Sequence, residues 1–163
     1  MTKKTAQGDR RAAQKYICQN RRALHNFAIE ERLEAGLVLQ GSEVKALRLG
    51  RAHLNDAYVQ ISRNEAVLLG GHIGEYAWAN QFSHTATRSR KLLLHRREID
   101  KLARSIREKG YTAVALSLYF TPGGHVKLEV GVGRGKSDVD RRHDLKAREA
   151  DREMTRALRQ KNR

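Results

Sequence analysis

A chain of 163 residues with a net charge of +15 is one small domain with appendages, and so basic a balance points to a polyanionic partner. Cys18 is the only cysteine, which excludes an internal disulfide and suits a reducing compartment, so a cytoplasmic protein is expected. No stretch approaches the ~20 apolar residues of a membrane helix, and the start, MTKKTAQGDRRAAQKYICQN, lacks the apolar segment of a signal peptide.

The charge is concentrated at the two ends. Residues 1–26 hold seven Lys/Arg and one Asp, and residues 134–163 hold eleven Lys/Arg against six Asp/Glu. The long middle holds fifteen against eleven and is only mildly basic. Basic ends on a compact body favour nucleic acid, because neutralised phosphates release counterions. A membrane surface is a poorer fit, since Tyr16 and Ile17 offer little apolar area near the basic start.

In chain order, residues 1–19 read as a disordered basic arm, 20–133 as the body and 134–163 as a basic tail. FAIEERLEAGLVL alternates, with Phe27, Ile29, Glu31, Leu33 and Ala35 on one side, which predicts a half-buried strand. GSEVKALRLG predicts a short helix capped by Ser42 and ended by Gly50. Tyr58 to Ser62 and Ala66 to Leu69 predict a hairpin turning at Arg63, Asn64 and Glu65. Gly74 to Arg88 has no clean period and carries Tyr76, Trp78 and Phe82, so it reads as a long loop, either functional or covering one end of the core.

HRREIDKLARSIREKG predicts the best helix, with Ile99, Leu102, Ala103 and Ile106 on one face and Gly110 as its stop. YTAVALSLYF predicts a strand with Thr112, Val114, Leu116, Leu118 and Phe120 on one side. A turn at Thr121 to Gly124 leads to HVKLEVGVG, with Val126, Leu128, Val130 and Val132 inward. Gly131, Gly133 and Gly135 read as a flexible exit with close backbone approach. Five or six strands joined by turns and short helices favour a mainly β fold. The expectation is a small closed antiparallel barrel of the oligonucleotide-binding type with flanking helices, since closure removes exposed edges.

Catalytic patterns are missing. The seven histidines (His25, His53, His72, His84, His95, His125, His143) are scattered without metal-ligand spacing, so they read as surface or groove residues and no metal is expected. GRGKS lacks the first glycine of a phosphate-binding loop, and no Gly-x-Ser-x-Gly elbow occurs. Glu30 and Glu31 point to opposite sides of a strand, so they make a poor acid–base pair. No enzymatic activity and no cofactor are expected. A phosphoryl-transfer or nuclease site at Lys136, Asp138 and His143 remains an alternative, as does a general RNA-binding or ribosome-associated barrel without a more specialised role.

Six stretches carry a more specific signal: NRRALHNF, EAGLVLQGSEVKALRLG, DAYV, RSRKLLLHRREI, GYTAVALSLYF and VGRGKSDVDRR. In one order from about Asn20 to Arg142, they resemble small protein B, the SsrA-binding protein family of bacterial trans-translation. The resemblance implies an oligonucleotide-binding barrel that binds the transfer-RNA-like domain of transfer-messenger RNA and carries it to stalled ribosomes. It implies a monomer whose partners are that RNA and the small ribosomal subunit with its RNA, not DNA or a membrane. The tail is then disordered alone and helical on the ribosome, inside the empty messenger path.

Carried over by position, Asn20, Arg21 and Arg22 match the basic entry to the barrel, Glu34 a carboxylate for RNA binding, and Leu93 an apolar position on the same face. Lys45, Arg88, Arg90 and Lys91 complete the expected RNA-binding set. Asp140, Arg141 and Arg142 match the family's Asp-Lys-Arg element, with Arg for Lys. Arg134, Lys136, Arg148, Arg152 and Arg156 complete the expected ribosome-binding tail. Two departures stand out: Val139 replaces a frequent His that would stack on bases, and Ala86 replaces a common Pro.

RNA-shape recognition needs phosphate neutralisation, a surface for unstacked bases and acceptors for sugar or base edges. The arginines and lysines suit the first, Leu93 and the loop aromatics the second, and Glu34 the third. A strand ion pair of Glu34 with Arg32 or Lys45 is the competing reading of that carboxylate. In the tail, Ala150, Met154, Ala157 and Leu158 make a thin apolar stripe. Arg148, Arg152 and Arg156 repel one another at helical spacing until phosphates relieve them. As a helix, residues 138–163 would span roughly 39 Å.

Overall fold

The computed structural model describes residues 15–76, 84–108 and 110–161. In chain order its elements are β1 (Lys15–Gln19), α1 (Arg21–Asn26), β2 (Phe27–Leu37), α2 (Gly41–Arg48), β3 (Ala52–His53), β4 (Tyr58–Ser62) and β5 (Glu65–Leu69). They continue with β6 (His72–Ile73), β7 (Arg90–Leu93), α3 (Arg96–Arg107), β8 (Tyr111–Phe120), β9 (Val126–Gly135) and α4 (Asp138–Lys161). The fold is mainly β. Seven strands form one antiparallel sheet, and β3 with β6 forms a small second one.

Pairing in the large sheet runs β8–β4–β5–β7–β2–β9, and β9 also pairs with β8, so six strands close a circuit. β4 pairs with β8 at Val114 and Ala113, and β1 pairs with it from Ser117 to Phe120. The long strand thus has its edge shared by two short ones. Lys15–Gln19, expected within a disordered arm, is therefore part of the sheet; residues 1–14 lie outside the described residues, as do Trp78 and Phe82.

Alternation carried the strand predictions, and two bulges limit it. Glu30 is an extra residue in β2 opposite β9, and Leu116 is an extra residue in β8. An extra residue moves the following side chains to the other face. Val114 and Leu116 therefore do not share a face with Leu118 and Phe120. They join Ala23, Leu24, Phe27 and Ile29 in a small apolar cluster beneath α1. The main core instead holds Ala113, Ala115 and Leu118 with Leu128, Val130 and Val132 of β9, Leu68, Leu92, and Leu102 from α3.

The Gly131–Gly133 region is buried strand, not a flexible exit. A Cβ at Gly133 would lie 2.0 Å from the Ala28 carbonyl oxygen, so only glycine lets β9 pass the bulge of β2. At the β4–β5 hairpin, Arg63 and Asn64 have φ of 47° and 63°, the pattern of a two-residue turn, and Glu65 already pairs with Ser62.

Helix α2 starts one turn-chemistry step away from expectation. Gln40 is its N-cap, and its backbone N–H donates to Glu43 Oε2 at 2.7 Å. Ser42 Oγ instead meets His84 Nδ1 at 2.9 Å, and His84 Nε2 meets the Ile73 carbonyl at 3.0 Å. His84 is buried, unlike the surface role expected of the histidines. For α3, the His95 N–H donates to Glu98 Oε2 at 2.7 Å and Leu102 is the buried anchor.

Where the sequence predicts a tail without order of its own, residues Asp138–Lys161 form one helix. Its start is well made. Ser137 Oγ donates to Asp140 Oδ2 at 2.7 Å, the Ser137 N–H donates to the same oxygen at 3.1 Å, and the Asp140 N–H donates back to Ser137 Oγ at 3.2 Å. These reciprocal bonds satisfy donors that a helix start leaves open. Val139, Leu145, Met154 and Leu158 are all exposed, so the helix buries no apolar face in the rest of the chain through these four side chains.

Candidate nucleic-acid interface

Strand β7 reads buried, exposed, buried, exposed from Arg90 to Leu93. That single alternation separates its residues into two jobs. Lys91 and Leu93 face outward, and Gly36 of β2, paired with Leu93, leaves room for it: a Cβ there would come within 3.2 Å of the Leu93 Cβ. β2 after its bulge presents Glu34 on the same outer face, and β9 presents Lys127. Together with Glu65 and His95 these side chains line an open cleft of about 610 Å³.

The cleft is chemically mixed. Leu93 is 54% exposed, an apolar surface with nothing over it. Lys91 pairs with Glu65 at 2.5 Å, both half-exposed, and such a pair contributes only about 0–1 kcal/mol, so its ammonium can exchange partners. Glu34 accepts a hydrogen bond from the Tyr119 hydroxyl and has Lys127 Nζ at 3.5 Å. Neither Arg32 nor Lys45 is its partner: Arg32 pairs with Glu129 at 3.0 Å, and Lys45 lies over the Tyr76 ring at 5.3 Å. Burial pushes the Tyr119 phenol well above its ordinary pKa, and the Glu34 bond adds to that. Tyr119 therefore stays a protonated donor at physiological pH.

Arg90 faces the other way. It is fully buried, as is Glu43. Its Nε donates to Glu43 Oε1 at 2.9 Å, and its terminal nitrogens donate to the carbonyls of Gly71, Ala86 and Arg88. Arg88 adds bonds to both Glu43 oxygens and one to the Val38 carbonyl. Burial raises the Glu43 pKa, but the hydrogen bonds from Arg88, the Gln40 N–H and Arg90 outweigh it and leave the carboxyl below its ordinary value. Arg90, with no exposed surface and four N–H groups bonded inside the chain, is out of a ligand's reach, and Arg88 is largely committed to the same cluster. Their role is to pin residues 84–90 onto α2.

Asn20 is likewise structural. It is buried, its Oδ1 accepts from the Ala23 N–H at 2.9 Å, and its amide donates to the Ala115 carbonyl at 3.0 Å and to that of Leu54. It caps α1 and ties it to β8. Arg21 and Arg22 are exposed on α1, away from the cleft lining, with Arg22 near Asp56 at 3.5 Å. So Glu34, Lys91 and Leu93 come together, while Arg21, Arg22 and Lys45 stand elsewhere on the surface.

Lys127 lines the cleft and Tyr119 holds Glu34, and the sequence reading names neither. Lys127 had a signal, the outward phase of HVKLEVGVG. Tyr119 had none, because its partner lies 85 residues away in sequence.

The root of the tail is held from both sides. Arg134 lies over the Tyr111 ring at 4.4 Å, and the Tyr111 hydroxyl donates to Glu30 at 2.8 Å. The Lys136 N–H donates to the Asn26 carbonyl at 2.7 Å and its Nζ to that of Leu24 at 3.2 Å, at the C-terminal end of α1. Asp140 serves the helix cap; the bonds from Ser137 lower its pKa. Arg142, Arg152 and Arg156 are exposed on α4, and the side chains of Arg141 and Arg148 lie outside the described ones.

A closed circuit of antiparallel strands, a mixed-charge cleft on its outside and a basic C-terminal helix define a small basic β protein of the class that suits a polyanionic partner. The family model described as SmpB protein matches residues 17–160. The SsrA-binding protein of Pelobacter propionicus is 49% identical over 150 residues, covering 92% of this chain and 98% of that one. That of Geobacter sulfurreducens is 50% identical over 149 residues, covering 91% and 97%. A solved chain described as "tmRNA-SmpB: a journey to the center of the bacterial ribosome" superposes with a TM-score of 0.64 at 36% identity, over 74% of this chain and 85% of that chain. The chain belongs to the SmpB protein family.

Proposed function

We propose that this protein binds the transfer-RNA-like domain of transfer-messenger RNA and delivers it to stalled ribosomes. The observation that carries this reading is the convergence of Glu34, Lys91 and Leu93 on one cleft in a chain about half identical to SsrA-binding proteins. The six-strand circuit is an oligonucleotide-binding type of barrel, with the RNA lying against its outer face. Lys91 and Lys127 neutralise phosphate, Leu93 lies under an unstacked base or sugar, and Glu34 accepts from a sugar hydroxyl or base amine. A carboxylate among phosphates is otherwise repelled, so Glu34 selects the partner more than it strengthens the grip. Binding is not catalysis, and no chemical step is assigned to the chain.

The body runs to Gly135, and the tail beyond it acts on the small ribosomal subunit as a monomer's probe of the empty messenger path in the cytoplasm. Arg142, Arg152 and Arg156, with Arg141 and Arg148, meet ribosomal phosphate there. Truncation after Gly135 tests the division. The shortened protein should keep its affinity for transfer-messenger RNA and lose peptide tagging on stalled ribosomes. Tagging at the normal rate, or loss of RNA binding, would remove the proposal. Competition with an unrelated single strand separates this reading from general RNA binding, which would tolerate either RNA.

A further inference from the structure

Glu34 is a half-exposed side chain on an open sheet face, where a glutamate ordinarily samples several rotamers. Its cross-strand neighbour on β9 is another carboxylate, Glu129. Like charges directly opposite disfavour that arrangement. Glu129 is drawn aside by Arg32 at 3.0 Å and Ser117 Oγ at 2.9 Å. Glu34 has no such pair of anchors. Lys127 stands at 3.5 Å, beyond a strong hydrogen bond, and is itself exposed enough to turn to another anion. What remains is the Tyr119 hydroxyl.

Tyr119 is suited to hold a rotamer. Only 4% of it is exposed, and its ring packs against Tyr16 with centroids 5.8 Å apart. The phenol is thus a stiff arm rooted in β8, two strands away from Glu34 across β9. It binds one oxygen of the carboxylate and leaves the other toward Lys127 and the cleft.

We propose that Tyr119 is a positioning residue for RNA recognition, whose hydroxyl holds the Glu34 carboxylate in the orientation that accepts from the RNA. It acts through Glu34 and need not touch RNA itself. The inference rests on the RNA-binding reading of the cleft given above.

The test is a double-mutant cycle on the full chain, with the transfer-RNA-like domain as the probe RNA. Tyr119→Phe keeps the ring and removes the hydroxyl. Loss of a hydrogen bond to a charged group implies about a tenfold loss of affinity, with the thermal midpoint lowered by no more than a few degrees. In a Glu34→Ala background the same change should cost about twofold or less, because there is no acceptor left to orient. Tyr111→Phe is the control: it removes the same kind of bond, from a tyrosine to Glu30 on the same strand but outside the cleft, and should leave affinity unchanged.

Wild-type affinity in Tyr119→Phe overturns the inference. So does a Tyr119→Phe loss that persists in full beside Glu34→Ala, or an equal loss in Tyr111→Phe, since either points to general disturbance of the sheet. If the wild-type chain does not prefer this RNA over an unrelated duplex of equal length, the functional reading falls first, and the inference with it.

Discussion

Glu43 and Glu34 are both glutamates paired with basic residues, yet they sit in opposite environments. Glu43 is wholly buried and takes hydrogen bonds from two guanidiniums and a backbone N–H. Glu34 is half-exposed, with one tyrosine hydroxyl and one distant ammonium. In the first case both carboxylate oxygens are bonded inside the chain and neither Glu43 nor Arg90 reaches the surface, so the pair stabilises the fold and offers nothing to a partner. In the second, capacity is left over. What separates a structural ion cluster from the proposed recognition site here is less the residue types than the hydrogen-bonding capacity that faces water.

The contrast is open to test, beginning with the largest effect. Arg90→Ala leaves Glu43 buried with one guanidinium gone. Breaking a buried pair from one side costs about 3–5 kcal/mol, so the chemical-denaturation midpoint should fall steeply. An Arg90→Ala protein of normal stability but weak RNA binding would erase the distinction. The same cluster has a pH signature. Because the folded pKa of Glu43 is lowered, its contribution is full above the ordinary glutamate value of about 4.3 and is lost as pH falls through the lower folded value. Stability of the wild type should therefore drop on acidification in that window, and Glu43→Gln should flatten that part of the profile.

Glu34→Gln should do the reverse. RNA affinity falls by at least about tenfold, since an acceptor with charge is replaced by one without, while the melting transition moves by no more than a few degrees. Loss of that transition would make Glu34 structural after all. The smallest effect is expected at the tail. Ser137→Ala removes the reciprocal cap with Asp140 and should cost α4 about 1 kcal/mol, read as reduced helicity by circular dichroism with the core transition unchanged.

The cleft was partly legible beforehand. Glu34, Lys91 and Leu93 were named, and alternation in β2 and β7 is what turns all three outward. Arg90 is adjacent to Lys91 and carries the same charge, so the sequence groups the two, but the structure buries it. In a strand the next residue faces the other way, and here the other way is a wall of carbonyls and Glu43. Asn20, grouped by the sequence with the RNA-binding residues, is buried and its side-chain oxygen caps a helix start.

Local chemistry sufficed for what depends on near neighbours. Alternation marked the strands, the 3.6-residue period marked α3, and the charge count at each end marked a partner of opposite sign. The bulges at Glu30 and Leu116, the closure of β9 onto β8, and the meeting of Tyr119 with Glu34 were decided only by the tertiary structure. A bulge leaves no period of its own, and one extra residue reassigns every later side chain to the opposite face. Which hydroxyl meets which carboxylate across three strands follows from that register, and register is a property of the whole sheet.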